Sequence, residues 1–251
     1  MARPFVSIII PTYNRRIFIK HVFHMFNSQK YPQDRMELII IDDGDDNISD
    51  LFEGCQKNIK YYRYDEKLYL SDKRNLLNQK VSGDIIVCWD DDDYYSPDYV
   101  KHVVTKLEAF PHVLLAGMSR IDSYFVNTGE IYRIGPFNQQ HCTNTSLCYR
   151  KEYLRNHKYE EGKNKAEERH FLDDYKNPMI QLTKEHLHLA LSHDLNTYNR
   201  EEQKDINKMY KKTPMTLKTI MKDKKSLKFF KNIKNDIEKY KKDLEKIKPS
   251  N

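Results

Sequence analysis

Four consecutive carboxylates, Asp90, Asp91, Asp92 and Asp93, follow the apolar run Ile85-Ile86-Val87-Cys88-Trp89. Like charges held so close raise one another's pKa, so the group demands a cation or a well-solvated turn. A turn would draw on Asn, Gly or Ser as readily as on Asp. An all-oxygen cluster suits Mg²⁺ or Mn²⁺ better than zinc, and the carboxyl end of a strand is where open α/β sheets bind ligands. Two further acidic groups stand at element ends, Asp42/Asp43 before Gly44 and Glu167/Glu168. One pair could grip a nucleoside by hydrogen bonds to base and ribose, and another could hold a metal that bridges a diphosphate. A third carboxylate, set apart from the metal, could take a proton from a hydroxyl. Those are the needs of glycosyl transfer from a nucleotide sugar: charge stabilisation on the leaving diphosphate and a base on the attacking oxygen.

Such groups need elements to position them. Phe5 to Ile10 reads as a first strand stopped by Pro11, Glu37 to Ile41 as a second, and Ile59 to Tyr64 as a third. Apolar residues at Ile17, Phe18, Val22, Phe23, Met25 and Phe26 have helical spacing. Ile48 to Gln56 is a further helical stretch, Ser71 to Gln79 a helix capped by Ser71 or Asp72, and residues 98–109 another helix after Pro97. The alternation of strand and helix implies a mostly parallel sheet with helices on both faces. Shorter strands follow at Leu114 to Met118, Ile121 to Val126 and Glu130 to Ile134, the last two about an Asn127-Thr128-Gly129 turn. The expected architecture is a domain over 1–199, with a nucleotide-binding half (1–100) and an acceptor-side half (101–199), then a Lys-rich helical tail over 200–251.

The charge is divided along the same line. The whole chain carries +6, but residues 200–251 hold 17 Lys/Arg against 8 Asp/Glu, so the body is acidic and the tail basic. In the tail, apolar residues such as Leu227, Phe230, Ile233 and Ile237 fall near helical spacing, which predicts one or two amphipathic helices packed on the body or on a partner helix. Peripheral contact of that tail with an anionic membrane is a second use of the same pattern, whereas nucleic acid is not an expected partner. No stretch approaches the roughly 20 apolar residues of a membrane span. The first strand follows so soon after Met1 that a signal peptide is not expected, and four cysteines without framework spacing suit a reducing compartment, so a cytoplasmic protein is expected. The wealth of Lys, Asn, Ile and Tyr fits an AT-rich genome, that of a microbe or a large virus.

Taken in order, Ser7-Ile8-Ile9-Ile10-Pro11-Thr12-Tyr13-Asn14-Arg15, Leu38-Ile39-Ile40-Ile41-Asp42-Asp43-Gly44, Lys73-Arg74-Asn75 and Asp90-Asp91-Asp92-Asp93 with Pro97-Asp98 resemble family 2 glycosyltransferases of the GT-A fold. The likeness runs over about residues 5–100, thins between 110 and 160, and resumes at Ala166-Glu167-Glu168-Arg169-His170-Phe171-Leu172. The resemblance implies a Rossmann-like sheet, Mn²⁺ or Mg²⁺, a UDP- or GDP-sugar donor, inversion at the sugar, and a glycan, protein or small-molecule hydroxyl as acceptor. By position it places Pro11, Tyr13 and Asp43 against base and ribose, Arg74 near the donor, and Asp90 and Asp92 at the ends of the Asp-x-Asp motif. Asp92 becomes the direct metal ligand, Asp90 its partner, and Asp91 a neighbour of the ribose. The base falls on Glu168, where the family usually has Asp, and Glu167 is its rival. His193, in Ser192-His193-Asp194 after the apolar run Leu187 to Leu191, matches a late histidine that many such enzymes add to the metal.

Each of these residues also has a plain structural reading. Asp43-Gly44 serves equally as a turn, Arg74 as an exposed helix charge and His193 as a satisfied polar residue. Glu167/Glu168 suit a helix N-terminus. Two other functions share the acidic pattern: a GT-A-like binding module without catalysis, and a nucleotidyltransferase. The latter would want a Gly-rich phosphate loop after the first strand, where Pro11-Thr12-Tyr13-Asn14 supplies no glycine.

Overall fold

The computed structural model describes residues 3–196 and 209–247, so Thr197 to Lys208, which include the start of the basic segment, lie outside the described residues. A central sheet of seven strands has the order β10-β6-β9-β4-β1-β2-β3. Its members are β1 (Val6–Thr12), β2 (Met36–Asp42), β3 (Ile59–Arg63), β4 (Ile85–Cys88), β6 (Leu115–Gly117), β9 (Cys148–Arg150) and β10 (Met179–Gln181). β1, β2, β3 and β4 pair in parallel, as do β6 and β10; β9 runs antiparallel between β4 and β6. The mostly parallel α/β architecture expected from the alternation is the one observed.

The strands are continuous apolar runs because both faces are covered. Side chains alternate between the faces. Ile8, Ile10, Leu38, Ile40 and Val87 join one core with α1 (Arg16–Asn27) and α3 (Tyr99–Ala109), while Ile9, Ile39, Ile41, Ile86 and Cys88 join the other with α2 (Leu70–Lys80). Truncating a wholly buried member such as Ile39 to alanine would cost about 2–5 kcal/mol. β1 does not stop at Pro11. Its ladder with β4 ends at Ile9, while its ladder with β2 continues to Thr12, so Pro11 sits past the end of one neighbour.

A second sheet, order β12-β8-β7-β11-β5, uses β5 (Tyr94–Tyr95), β7 (Ile121–Phe125), β8 (Glu130–Ile134), β11 (His188–Ser192) and β12 (Lys211–Lys212). Its role here is to carry β11, and with it His193, back to the end of β4. The expected helix over Ile48 to Gln56 is reduced to one 3₁₀ turn, Ser49–Phe52, because the chain extends at Glu53 and turns at Gly54 with φ 72°. The basic segment ends in a long helix, Lys224–Ile247, whose Phe230, Ile233, Ile237, Tyr240 and Leu244 are buried while most of its lysines face outward. Among the described residues no helix is long and apolar enough to cross a membrane.

Candidate functional site

Strand order reverses at β1, with β2 and β3 on one side and β4 on the other, so a crevice opens beyond the carboxyl ends of β1 and β4. The chain delivers its polar groups there. β1 ends in Thr12, Tyr13, Asn14 and Arg15; β2 ends in Asp42 and Asp43; β4 leads through Trp89 into the acidic run. α2 precedes β4 and begins at this same edge, which brings Lys73 and Arg74 of its first turns inward, both buried.

The four aspartates have four different surroundings. Asp90 is the most open and faces Arg74, whose Nη2 lies 3.5 Å from Oδ1. Asp91 is buried, accepts a hydrogen bond from the Thr12 hydroxyl and stands 3.5 Å from Arg15 Nε. Burial pushes its carboxyl up to about 8, Arg15 pulls against that, and Asp92 adds to the rise. Asp92 Oδ2 lies 2.9 Å from His193 Nε2 and accepts from Asn196 Nδ2 at 2.9 Å. Asp93 turns away from the crevice. It binds Thr145 Oγ1, His188 Nε2 at 2.9 Å and the Leu191 amide at 2.8 Å, and so anchors β11 under the site.

On the β2 side of the crevice, Asp43 is buried between Lys73 Nζ and the Leu68 amide, the latter at 2.7 Å. Lys73 Nζ also donates to the Thr12 carbonyl at 3.0 Å, and burial lowers its pKa despite Asp43. Tyr13 is half-buried, with its hydroxyl on Asp45 at 3.1 Å and Lys67 Nζ 4.2 Å from its ring centre. Pro11 is buried inside β1, two residues before Tyr13. A glycine is required at position 44, where a Cβ would stand 2.5 Å from the Asn14 backbone nitrogen. The bland turn reading of Asp43-Gly44 is therefore too small: the turn is welded to the β1 loop.

Beyond β4 the loop leading into β9 brings Asn144 to the same edge, and a four-residue helix, α4 (Glu168–Phe171), brings the glutamates. Glu167 Oε1 accepts from Arg74 Nε at 2.9 Å and from Asn144 Nδ2 at 2.8 Å. Glu168 is less tightly held, 3.4 Å from the same amide, and its carboxyl is raised to about 7, first by burial and then by the Glu167 charge. Arg74 Nη1 is buried with no hydrogen-bond partner among the described residues. Arg74 is thus a buried hub between Asp90 and Glu167 and not an exposed helix charge.

Sequence reasoning left Arg15, Thr12 and Asn196 without roles, gave Asn144 only as part of the polar segment His141 to Thr145 that could approach the transferred sugar, and treated Lys73 only as part of a string. Nothing local marks Asn144 or Asn196, because their partners lie 23 and 104 residues away. Lys73 did carry a signal, standing next to Arg74 at the start of a helix that must point at the sheet edge. Trp89, Tyr94 and Tyr95 are core residues, with Trp89 stacked on Tyr95 at 4.5 Å.

Residues 7–174, about two thirds of the chain, match the family described as glycosyl transferase family 2. The chain belongs to that family. A curated relative, Glycosyltransferase AglE of Haloferax volcanii, is 32% identical over 93 residues, which cover 36% of this chain and 31% of that protein. Among solved structures, S. aureus TarS 1-349 in complex with UDP-GlcNAc superposes with a TM-score of 0.61 at 17% identity, over 76% of this chain and 60% of that one. Mannosyltransferase PcManGT from Pyrobaculum calidifontis, in complex with GDP-Man and Mn²⁺, gives 0.61 at 16% identity, over 81% and 61%. At such identities the likeness is one of fold, that of GT-A glycosyltransferases.

Proposed function

We propose that the protein moves a sugar from a UDP- or GDP-sugar to a hydroxyl acceptor, with inversion, in the presence of Mn²⁺ or Mg²⁺. One observation carries the reading. A carboxyl near neutrality, Glu168, shares a sheet edge with an Asp92–His193 pair drawn from positions 101 residues apart. Asp92 Oδ2 and His193 Nε2, both buried and 2.9 Å apart, are the two side chains that would hold a divalent cation; among the described residues no group of three or more His, Cys, Asp or Glu side chains converges to complete its shell. Bound there, the cation supplies positive charge to the departing diphosphate.

The chain's own groups perform the rest. Glu168 takes the acceptor's O–H proton as that oxygen bonds to the anomeric carbon. The bond from that carbon to the diphosphate oxygen breaks, and the electron pair leaves with the diphosphate. A single displacement with one base inverts the centre. Glu167, held by Arg74 and Asn144, keeps a negative charge beside Glu168 and so keeps it basic near neutral pH. The unpartnered Arg74 Nη1 supports a donor oxygen nearby. Tyr13 and the Asp43 turn face the base, with Pro11 beneath them. The loop after β1 carries no glycine, which disfavours the Gly-rich phosphate loop of a nucleotidyltransferase.

The test is a thermal-shift screen of UDP-GlcNAc, UDP-glucose and GDP-mannose with and without Mn²⁺, followed by release of free nucleotide. A ligand that binds the native state raises the melting temperature by mass action. Absence of any metal-dependent shift across the panel would sink the proposal.

A further inference from the structure

The helix Lys224–Ile247 lies outside the stretch that matches the family. Its inner face nevertheless reaches the two loops that the donor reading depends on. Near its start, Phe229 meets Phe18 edge-on at 6.1 Å, and Phe18 in turn stacks on His193 at 5.3 Å. Three turns later the Tyr240 hydroxyl donates to Asp46 Oδ2 at 2.9 Å and accepts from the Arg16 amide at 3.4 Å. The next residue, Lys241, places Nζ 2.9 Å from Asp194 Oδ2, one residue past His193.

Asp46 is not a peripheral anchor. Its amide donates to Asn14 Oδ1 at 3.1 Å, Asn14 Nδ2 donates to Asp45 Oδ2 at 3.0 Å, and that same oxygen accepts from Tyr13. Asn14 sits at φ 54°, a conformation that costs a non-glycine residue energy and persists only where its surroundings hold it. Packing alone would be served by phenylalanine at 240. A buried tyrosine hydroxyl must find a partner, and this one shares the Asp46 carboxylate with Arg16, whose Nε stands 2.8 Å from the same Oδ2, while the backbone amide of Asp46 ties the β2 loop to Asn14.

We infer that Tyr240 and Lys241 are positioning residues for the donor, through which the C-terminal helix holds the Tyr13–Asp46 loops and the His193 loop in fixed relation. The inference rests on the proposed donor site. It makes nucleotide affinity a property of a helix that touches no nucleotide.

The experiment compares full-length Tyr240→Phe with full-length Ile237→Val, a buried change on the same helix that spares Asp46. Calorimetry with UDP and GDP in Mn²⁺ should give about tenfold weaker binding for Tyr240→Phe, the size expected on losing a hydrogen bond to a charged group. The donor KM should rise with kcat within about twofold, a split that reports lost ground-state binding. Amide hydrogen exchange over 43–46 should quicken, while Ile237→Val lowers the melting temperature and keeps wild-type affinity. Unchanged affinity in Tyr240→Phe overturns the inference, as does an equal loss in Ile237→Val, which would make the helix a source of stability alone. If the wild-type chain binds neither nucleotide, the donor reading fails on its own, and exchange over 43–46 still decides whether Tyr240 braces the loop: quickened exchange upholds the bracing and unchanged exchange overturns it.

Discussion

The sharpest consequence of the site is a pH profile with opposite signs in activity and stability. Glu168 has a carboxyl raised to about 7 by burial and by Glu167. As the base it must be ionised, so kcat/KM should follow its ionised fraction, roughly 90% near pH 8 and roughly 10% near pH 6. The expected fall is about tenfold across that interval, whereas a carboxyl at the usual ~4.3 would change by only a few per cent. Stability runs the other way. The folded pKa lies above the unfolded one, so between about 4.5 and about 7 the folded state binds the extra proton and stability falls as pH rises. The full effect is on the order of 3 kcal/mol. Nucleotide release against pH at saturating Mn²⁺ gives the first curve, and urea unfolding against pH without ligand gives the second. Glu168→Gln should flatten both and lower kcat by about 10²–10⁴. Glu167→Gln removes the like charge and frees Arg74, so it should move the acid limb to lower pH while leaving an active enzyme. A flat kcat/KM between about pH 6 and about pH 8, or an active Glu168→Gln beside an inactive Glu167→Gln, would refute this assignment.

Four further substitutions separate the roles of neighbouring residues. Asp92→Asn should fold normally but lose the Mn²⁺-dependent gain in nucleotide affinity, and His193→Ala should weaken Mn²⁺ binding by at least about 10-fold; a metal titration followed by nucleotide calorimetry reads both. Asp93→Asn strands His188 and Thr145 inside the core and should destabilise by about 3–5 kcal/mol in urea, with the surviving folded fraction keeping its metal affinity. Gly44→Ala forces the β2 turn off the Asn14 backbone, at a cost of about 1–3 kcal/mol, and should weaken nucleotide binding more than it alters kcat.

The sheet was legible because parallel strands covered on both faces are written as unbroken apolar runs, and carboxylates at their ends stand out against them. What could not be read was direction. Composition alone leaves Asp90 to Asp93 equivalent, and only the family resemblance grades them, because their order in the chain says nothing of where each points once the chain leaves β4. In the fold they diverge, Asp90 to Arg74, Asp91 to Thr12 and Arg15, Asp92 to His193 and Asn196, and Asp93 to His188. All these partners but Arg74 lie 76 to 104 residues away, so no window along the sequence contains them.

The glutamate pair shows the same limit and its resolution. Side chains of adjacent helical residues point about 100° apart, a consequence of 3.6 residues per turn. Whichever residue meets Arg74 therefore leaves the other to a different environment. Ala166, at φ 52°, sets the entry to α4 so that Glu167 meets both Arg74 and Asn144. Both of its strong contacts, to Arg74 and to Asn144, occupy that carboxylate and turn it from the open edge. Its neighbour Glu168, held only by a long contact to Asn144, is raised by burial and by the Glu167 charge to about 7, which suits the proposed base. The proposed division of labour between Glu167 and Glu168 thus rests on where Arg74 stands.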